Sequence, residues 1–399
     1  MKRLLLLVAG CAALTSAAAL EKIALVDCGD YSGEHYDPET AAGVEHILDR
    51  VLKTGADTVL WRSHGGAIIR YPTAQENVFR LDHPLDRRRL PCRGVGRALW
   101  LLDRFELLSR LCETRPQVRH RGVHACIEEA HWNLGSVGDW NLAHPQYWCR
   151  SAEGVPMMFH ASFAYPEVVE HRLAMIREMI DKGMDTIYVD TYRSGNYGAA
   201  CDYTAPNLAE WERRHPGEKP PPAYRPSDAA RWNEWAAIVA RGQHAYLRGI
   251  RRLIGASGRK VRFFLGVDWL TETDFDYVRR IRAIDWETLA REGTVDGLLL
   301  TGVGADKADP YGSYERIVRE VRDRVGSQCA LYVPVNDYNF NERRPSFQQL
   351  AKWAGITPEM SIKRLCDIAN RVGAAGIVME CVDPDNYGES YMKTIRECR

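Results

Sequence analysis

The sequence predicts a single closed (β/α)8 TIM barrel, and three observations predict it. Short β-branched and aromatic runs alternate with amphipathic helical stretches, eight such units fit in 399 residues, and several of the runs end on an acid that opens a loop. Alternation argues for a parallel sheet, and eight strands argue for its closure. A doubly wound open sheet fits less well, because no glycine-rich phosphate loop follows the first strand.

The chain opens with Lys2 and Arg3, an apolar run from Leu4 to Leu14, and Thr15-Ser-Ala-Ala-Ala19. That is an export signal over residues 1–19 rather than part of the fold. Ala17-x-Ala19 suits ordinary cleavage, whereas Val8-Ala-Gly-Cys11 resembles a bacterial lipobox in which Cys11 would carry lipid. Both routes predict an exported protein, periplasmic or extracellular, either soluble or lipid-anchored to a membrane, with residues 20–399 as one domain. No later apolar run is long enough to span a bilayer.

Ile23–Asp27 reads as the first strand, Ala41–Leu52 as an amphipathic helix stopped at Thr54-Gly55, and Thr58–Arg62 as the second strand. A long loop runs to Arg97 through Pro72, Pro84 and Pro91, followed by a helix over Leu99–Leu111 and a third strand over Gly122–Glu128. A second long loop, Glu129–Tyr165, holds His131, Trp132, Trp140, His144 and Trp148 and is too rich for a connector. Pro166 opens a helix to Lys182, and the fourth strand ends on Asp190. The third excursion, Ser194–Ser227, also follows a strand.

Asp228–Ile254 reads as a long helix, Val261–Asp268 as the fifth strand, and Asp274–Arg291 as a helix with a break. The sixth strand is Val295–Thr301, the seventh Ala330–Asn336 and the eighth Ala375–Glu380. Helices over Tyr314–Arg324, Pro358–Val372 and Ser390–Cys398 complete the units.

Lys+Arg 53 against Asp+Glu 53 gives no net charge, and no long basic block is present, which argues against a nucleic-acid partner. Eleven Trp and eighteen Tyr, several in loops, suit stacking on flat ligands such as sugar rings or ordinary loop packing. Beyond Cys11 the cysteines form no CxxC pair or zinc signature; Cys92, Cys149 and Cys201 are the loop candidates for bridging, and Cys126 and Cys366 read as buried free thiols. No organic cofactor or metal is implied. His131 and His144 read as makers of ordinary hydrogen bonds, and oligomeric state is not encoded legibly.

Chemistry in such barrels gathers at the carboxyl ends of the strands. Alternation places Ile187 and Val189 outward and Thr186, Tyr188 and Asp190 toward the axis. Leu265 and Val267 do the same for Asp268, Ile377 and Met379 for Glu380, and Ala125 and Ile127 for Glu128. Converging carboxylates without neutralising lysines raise one another's proton affinity, so one stays protonated while its neighbour is ionised. That division of labour is what glycosidic cleavage needs, with the carboxyls about 5 to 5.5 Å apart for retention and roughly 6.5 to 9.5 Å for inversion.

The segment Asp139-Trp-Asn-Leu-Ala-His-Pro-Gln-Tyr-Trp148, then Ala164-Tyr-Pro-Glu-Val168, then Met184–Arg193, is similar to bacterial glycosyl-hydrolase-like barrels of the family-10-like group. Those proteins carry "HPEW", "HPEV" and "DGIHLDYIR" in the same order. The resemblance implies an exported carbohydrate-active barrel and carries over Asp190. This chain departs from the pattern at Asp185-Thr and Tyr165-Pro. More distantly, acids ending strands four and five resemble the order in amylase-type barrels, which implies Asp190 as nucleophile or base and Asp268 as general acid, with Glu380 the competing acid.

Asp27 reads as a sugar-hydroxyl ligand or a partner at the barrel bottleneck, and Glu128 as a substrate or network contact. Arg62, His64, Trp132, Tyr192, Arg193, Trp269, Asn336 and Tyr338 stand as substrate-binding candidates by location. Two other classes stay open: a carbohydrate-binding barrel without turnover, and an amidohydrolase or aldolase. The last would need clustered histidines or a strand-end lysine, and Lys260 starts its strand at the wrong end.

Overall fold

The computed structural model describes residues 19–26, 41–62, 64–65, 68–69, 110–126, 139–191, 198–268, 270–306, 308–335, 355–380 and 384–398. Eight parallel strands close into a ring in sequence order: β1 (Glu21–Val26), β2 (Thr58–Arg62), β3 (His120–Cys126), β4 (Thr186–Asp190), β5 (Arg262–Val267), β6 (Gly297–Leu300), β7 (Ala330–Pro334) and β8 (Gly376–Glu380), with β8 pairing back onto β1. This is the (β/α)8 barrel that the alternation predicts. β3 begins two residues before the expected start, at His120, and the described strand ends at Cys126; Glu128, like Asp27, lies outside the described residues.

Strands β2, β4 and β6 share a local device. Left-handed Gly55, Gly183 and Gly293 follow helices, and Asp57, Asp185 and Asp296 then lead into β2, β4 and β6. Only glycine takes that backbone conformation without cost, so each marks where a helix must stop. Each aspartate donates its own N–H to the carbonyl of Lys22, Arg121 or Phe263. Each carboxyl then accepts the N–H of that same neighbour, at 3.0, 3.1 and 2.7 Å. This reciprocal bracket fixes the register, and a one-residue slip would reverse every side chain.

The helices are α1 (Ala41–Leu52), α2 (Pro166–Asp181), α3 (Ala205–Arg214), α4 (Ala229–Ser257), α5 (Tyr277–Arg282), α6 (Trp286–Arg291), α7 (Pro310–Val325), α8 (Pro358–Arg371) and α9 (Pro384–Glu397). Most of the helix expected over Leu99–Leu111 lies outside the described residues. The expected break in Asp274–Arg291 is real: Ala283, with φ 57°, separates α5 from α6. A non-glycine residue there costs about 1 kcal/mol or more, which the packing of fully buried Ala283 must offset.

Several elements inside the loops were not expected, among them a short helix over Asp139–Ala143. Trp148–Arg150 pairs antiparallel with Pro156–Ala161 inside the second long loop, and α3 lies inside the third. Thr204 and Pro206 at the start of α3 form a helix-entry signal that the surrounding prolines obscure in the sequence. Buried Asp202 joins the two insertions: its carboxyl accepts from Ser162 Oγ (2.9 Å) and Thr204 Oγ1 (2.9 Å), and its carbonyl from Asn207 Nδ2 (3.0 Å).

The outer core packs Ile187, Val189, Leu265, Val267, Ile377 and Met379 against the helices, while Ile23, Leu25, Leu60, Tyr188, Phe264, Leu299, Tyr332 and Val378 fill the ring. The inward and outward phases therefore agree with the alternation. Cysteine pairing differs from expectation. Cys366 is bridged to Cys398 across a Cα separation of 6.0 Å, whereas Cys149 and Cys201 are in no disulfide. Helices α8 and α9 bring distant residues together, which spacing along the chain does not reveal. No described helix is long and apolar enough to cross a membrane. Residues 1–18, with Cys11, and Cys92 lie outside the described residues.

Candidate active site

The site is built where β4 and β5 run side by side. Val189 pairs with Leu265, so Asp190 stands opposite Gly266 and Asp268 follows two residues beyond. Gly266 is in phase with inward Phe264. A Cβ built on it would meet Tyr188 Oη at 2.7 Å and Asp190 Oδ1 at 3.3 Å. The absent side chain is what gives the Asp190 carboxyl its place over the inner wall, with Tyr188 beneath. This glycine was missed in the sequence, where it reads only as a weak strand residue; its position two before Asp268 and one past the partner of Val189 is the available signal.

Asp268 is fully buried, and Asp190 is 2% exposed. Oδ2 of Asp268 lies 3.4 Å from Arg282 Nη2 of α5, and Oδ1 lies 3.4 Å from Thr191 Oγ1, whose hydroxyl also donates to the Gly266 carbonyl at 2.9 Å. Burial pushes the Asp268 carboxyl up to about 6, Arg282 opposes that, and the charge of Asp190 adds to it. Like charge and desolvation thus outweigh one guanidinium. A carboxyl poised near 6 can hold a proton in mildly acidic water and release it to a leaving group.

Arg282 is itself fixed by the excursion after β4. Gly198 presses on α5 so closely that a Cβ would lie 2.1 Å from the Ile281 carbonyl oxygen and 2.7 Å from Arg282 Cα. Trp232 donates its indole N–H to the Arg280 carbonyl at 2.7 Å, Trp235 donates to that of Ala199 at 2.7 Å, and Ala283 packs into the same tryptophan cluster. The sequence reading named neither Arg282 nor this support, because the contact depends on how α5 folds back over β5.

Glu380 ends β8 on the wall across the ring from β4 and is half-buried. The charge of Asp190 acts on Asp268, at the end of the adjacent strand. Arg62 ends β2 and His64 lies in a short strand paired with Ile68–Ile69; their side chains lie outside the described residues, as do Trp132, Tyr192, Arg193, Trp269, Asn336 and Tyr338. Of the loop aromatics, Trp140 stacks on His171 (4.2 Å) and His144 (4.4 Å), and Trp148 donates to the Asn141 carbonyl at 2.8 Å. Trp140 thus packs the loop against α2, and Trp148 packs it on itself. His144 Nδ1 bonds the Trp140 carbonyl at 2.6 Å, the ordinary role expected for it.

The chain is similar in structure to the catalytic domain of a β-amylase from Paenibacillus polymyxa, at a TM-score of 0.56 and 11% identity over 96% of this chain and 99% of that one. The likeness is one of fold. A β-galactosidase from the psychrophilic Marinomonas ef1 matches at a TM-score of 0.56 and 10% identity, over 94% of this chain and 58% of that chain. A cyclic α-maltosyl-(1→6)-maltose hydrolase from Arthrobacter globiformis matches at 0.50 and 10%, over 95% and 82%. No family model matches the chain, and no curated protein matches its sequence.

Proposed function

We propose that the protein is an exported glycoside hydrolase that cleaves an oligo- or polysaccharide, with Asp268 as proton donor and Asp190 as nucleophile or base. One observation carries this: two carboxylates from adjacent strand ends, on the face where barrel chemistry gathers, interact through space, with the Arg282 guanidinium beside Asp268. Such a pair divides naturally into a protonated and an ionised member. The resemblance of residues 139–193 to family-10-like barrels and the names of the similar barrels, β-amylase, β-galactosidase and maltosyl-maltose hydrolase, agree with the class. Asp27, Arg62, His64, Glu128, Trp132, Tyr192, Arg193, Trp269, Asn336 and Tyr338 are proposed to line the sugar path, and Glu380 to reach the substrate from the opposite wall.

A second reading, a carbohydrate-binding barrel without turnover, is favoured by the near-complete burial of both carboxyls. An oligosaccharide panel separates the two, with product stereochemistry followed by NMR. The hydrolase reading expects one α or β linkage class to be cut with a single anomeric outcome. Binding of a glycan that is never cut supports the second reading.

A further inference from the structure

We propose that Arg282 is a positioning residue for the candidate pair, occupying Oδ2 of Asp268 so that the transferable proton resides on Oδ1, the oxygen facing the end of β4. This rests on the reading of Asp268 as the proton donor. A guanidinium only donates, so an oxygen that accepts from it is a poor seat for a proton. The other oxygen, Oδ1, sits 3.4 Å from Thr191 Oγ1. That hydroxyl spends its hydrogen on the Gly266 carbonyl at 2.9 Å, leaving a lone pair to receive the Oδ1 proton when Asp268 is protonated. Thr191 directly follows Asp190, so the oxygen left for the proton faces the strand that carries the partner carboxylate.

Among the described residues, the charged groups acting on Asp268 are Asp190 from β4 and Arg282 from α5. They pull in opposite directions. Arg282 is 3% exposed and its guanidinium carbon lies 5.8 Å from the Tyr277 ring centroid, within a helix whose end is held by left-handed Ala283, Gly198 and the Trp232 hydrogen bond. A side chain that leaves a backbone held at these points and lies beside the Tyr277 ring delivers its charge to one place, and a lysine on the same backbone would not reproduce the planar guanidinium.

Carboxyl 13C NMR of the full chain tests this, with the Asp268 resonance assigned by its loss in Asp268→Asn. In Arg282→Met the Asp268 midpoint should rise by about one pH unit or more, as expected when an opposing cation leaves a buried acid. Arg282→Lys should give a smaller rise, and the basic limb of kcat/KM should move with the midpoint. If Arg282→Met does not fold, Trp232→Phe, which loses the bond to the Arg280 carbonyl, should shift the midpoint in the same direction by less. An unchanged midpoint in whichever of these variants is folded overturns the proposal. A shifted midpoint in a protein that cuts no glycan would instead sink the hydrolase reading and leave the hold of Arg282 on Asp268 standing.

Discussion

The two ends of the barrel carry the same kinds of group and use them in opposite ways. At the amino-terminal end, Glu21 on β1 pairs with Arg262 on β5 at 2.8 Å, and Arg262 also donates to Thr58 (3.0 Å) and Thr186 (3.1 Å). Thr58 and Tyr332 donate to Glu21, the latter at 2.8 Å, and the guanidinium lies 4.9 Å from the Phe264 ring centroid. At the carboxyl end, Asp268 stands beside the Arg282 guanidinium and feels the charge of Asp190. Burial raises the Glu21 carboxyl, but the Arg262 charge and bonds from Thr58, Arg262 and Tyr332 win and hold it below its ordinary value. At Asp268 burial wins. An acid whose cation and hydrogen bonds outweigh its burial makes a structural plug; an acid whose burial and acidic neighbour outweigh its cation keeps proton affinity to be used.

The contrast breaks most directly in the acids. Asp190→Asn and Asp268→Asn should each lower kcat/KM on the cleaved glycan by roughly 100- to 10,000-fold per folded molecule. Loss of fold instead of rate would make the upper end as structural as the lower. Conversely, Arg262→Met strands the Glu21 carboxylate in a largely enclosed site and should cost about 3 kcal/mol in denaturant unfolding, while the folded fraction keeps its kcat/KM.

The pH responses sharpen the same difference. Asp268 must carry its proton to act, and its value of about 6 lies above the ordinary 3.8, so kcat/KM should fall as pH rises through about 6. Glu21 is shifted the other way. The stability of the plug is present above the ordinary glutamate value of 4.5 and is lost as pH falls through the lower folded value. Thermal melts in this acidic window should therefore be less pH-sensitive in Glu21→Gln than in the parent.

Smaller effects belong to the supports. Gly266→Ala forces a methyl against Tyr188 Oη and Asp190 Oδ1, so kcat should drop by about tenfold for a stability loss of about 1–3 kcal/mol. Cys398→Ala opens the bridge to Cys366, closed across a sequence separation of 32, and should cost about 3–4 kcal/mol under oxidising conditions without changing kcat.

The ring was legible because its signals are local. Period-two alternation separates Ile187 and Val189 from Tyr188 and Asp190, and helix stops at Gly55 and Gly183 announce the next strand. Asp190 and Asp268 were legible for the same reason, since each ends an apolar run. Arg282 and Gly198 were not, because their meeting depends on α5 folding back under the tryptophan cluster and no spacing rule connects residue 198 to residue 282. The plug was equally hidden: Glu21 and Arg262 are 241 residues apart, and only closure of the ring joins them. Cys366 was misread for want of the same tertiary information. Loop tryptophans looked like sugar platforms because composition cannot tell an exposed ring from one already stacked, as Trp140 is on His171.

Whether the two upper acids form one machine is tested most directly by a double-mutant cycle. On a glycan that the parent cleaves, kcat/KM would be measured for Asp190→Asn, Asp268→Asn and the double variant. Residues that act as a unit are expected to give a double variant within a few-fold of the worse single one. Single variants that retain parental rates, or losses that multiply fully in the double variant, would contradict the pairing.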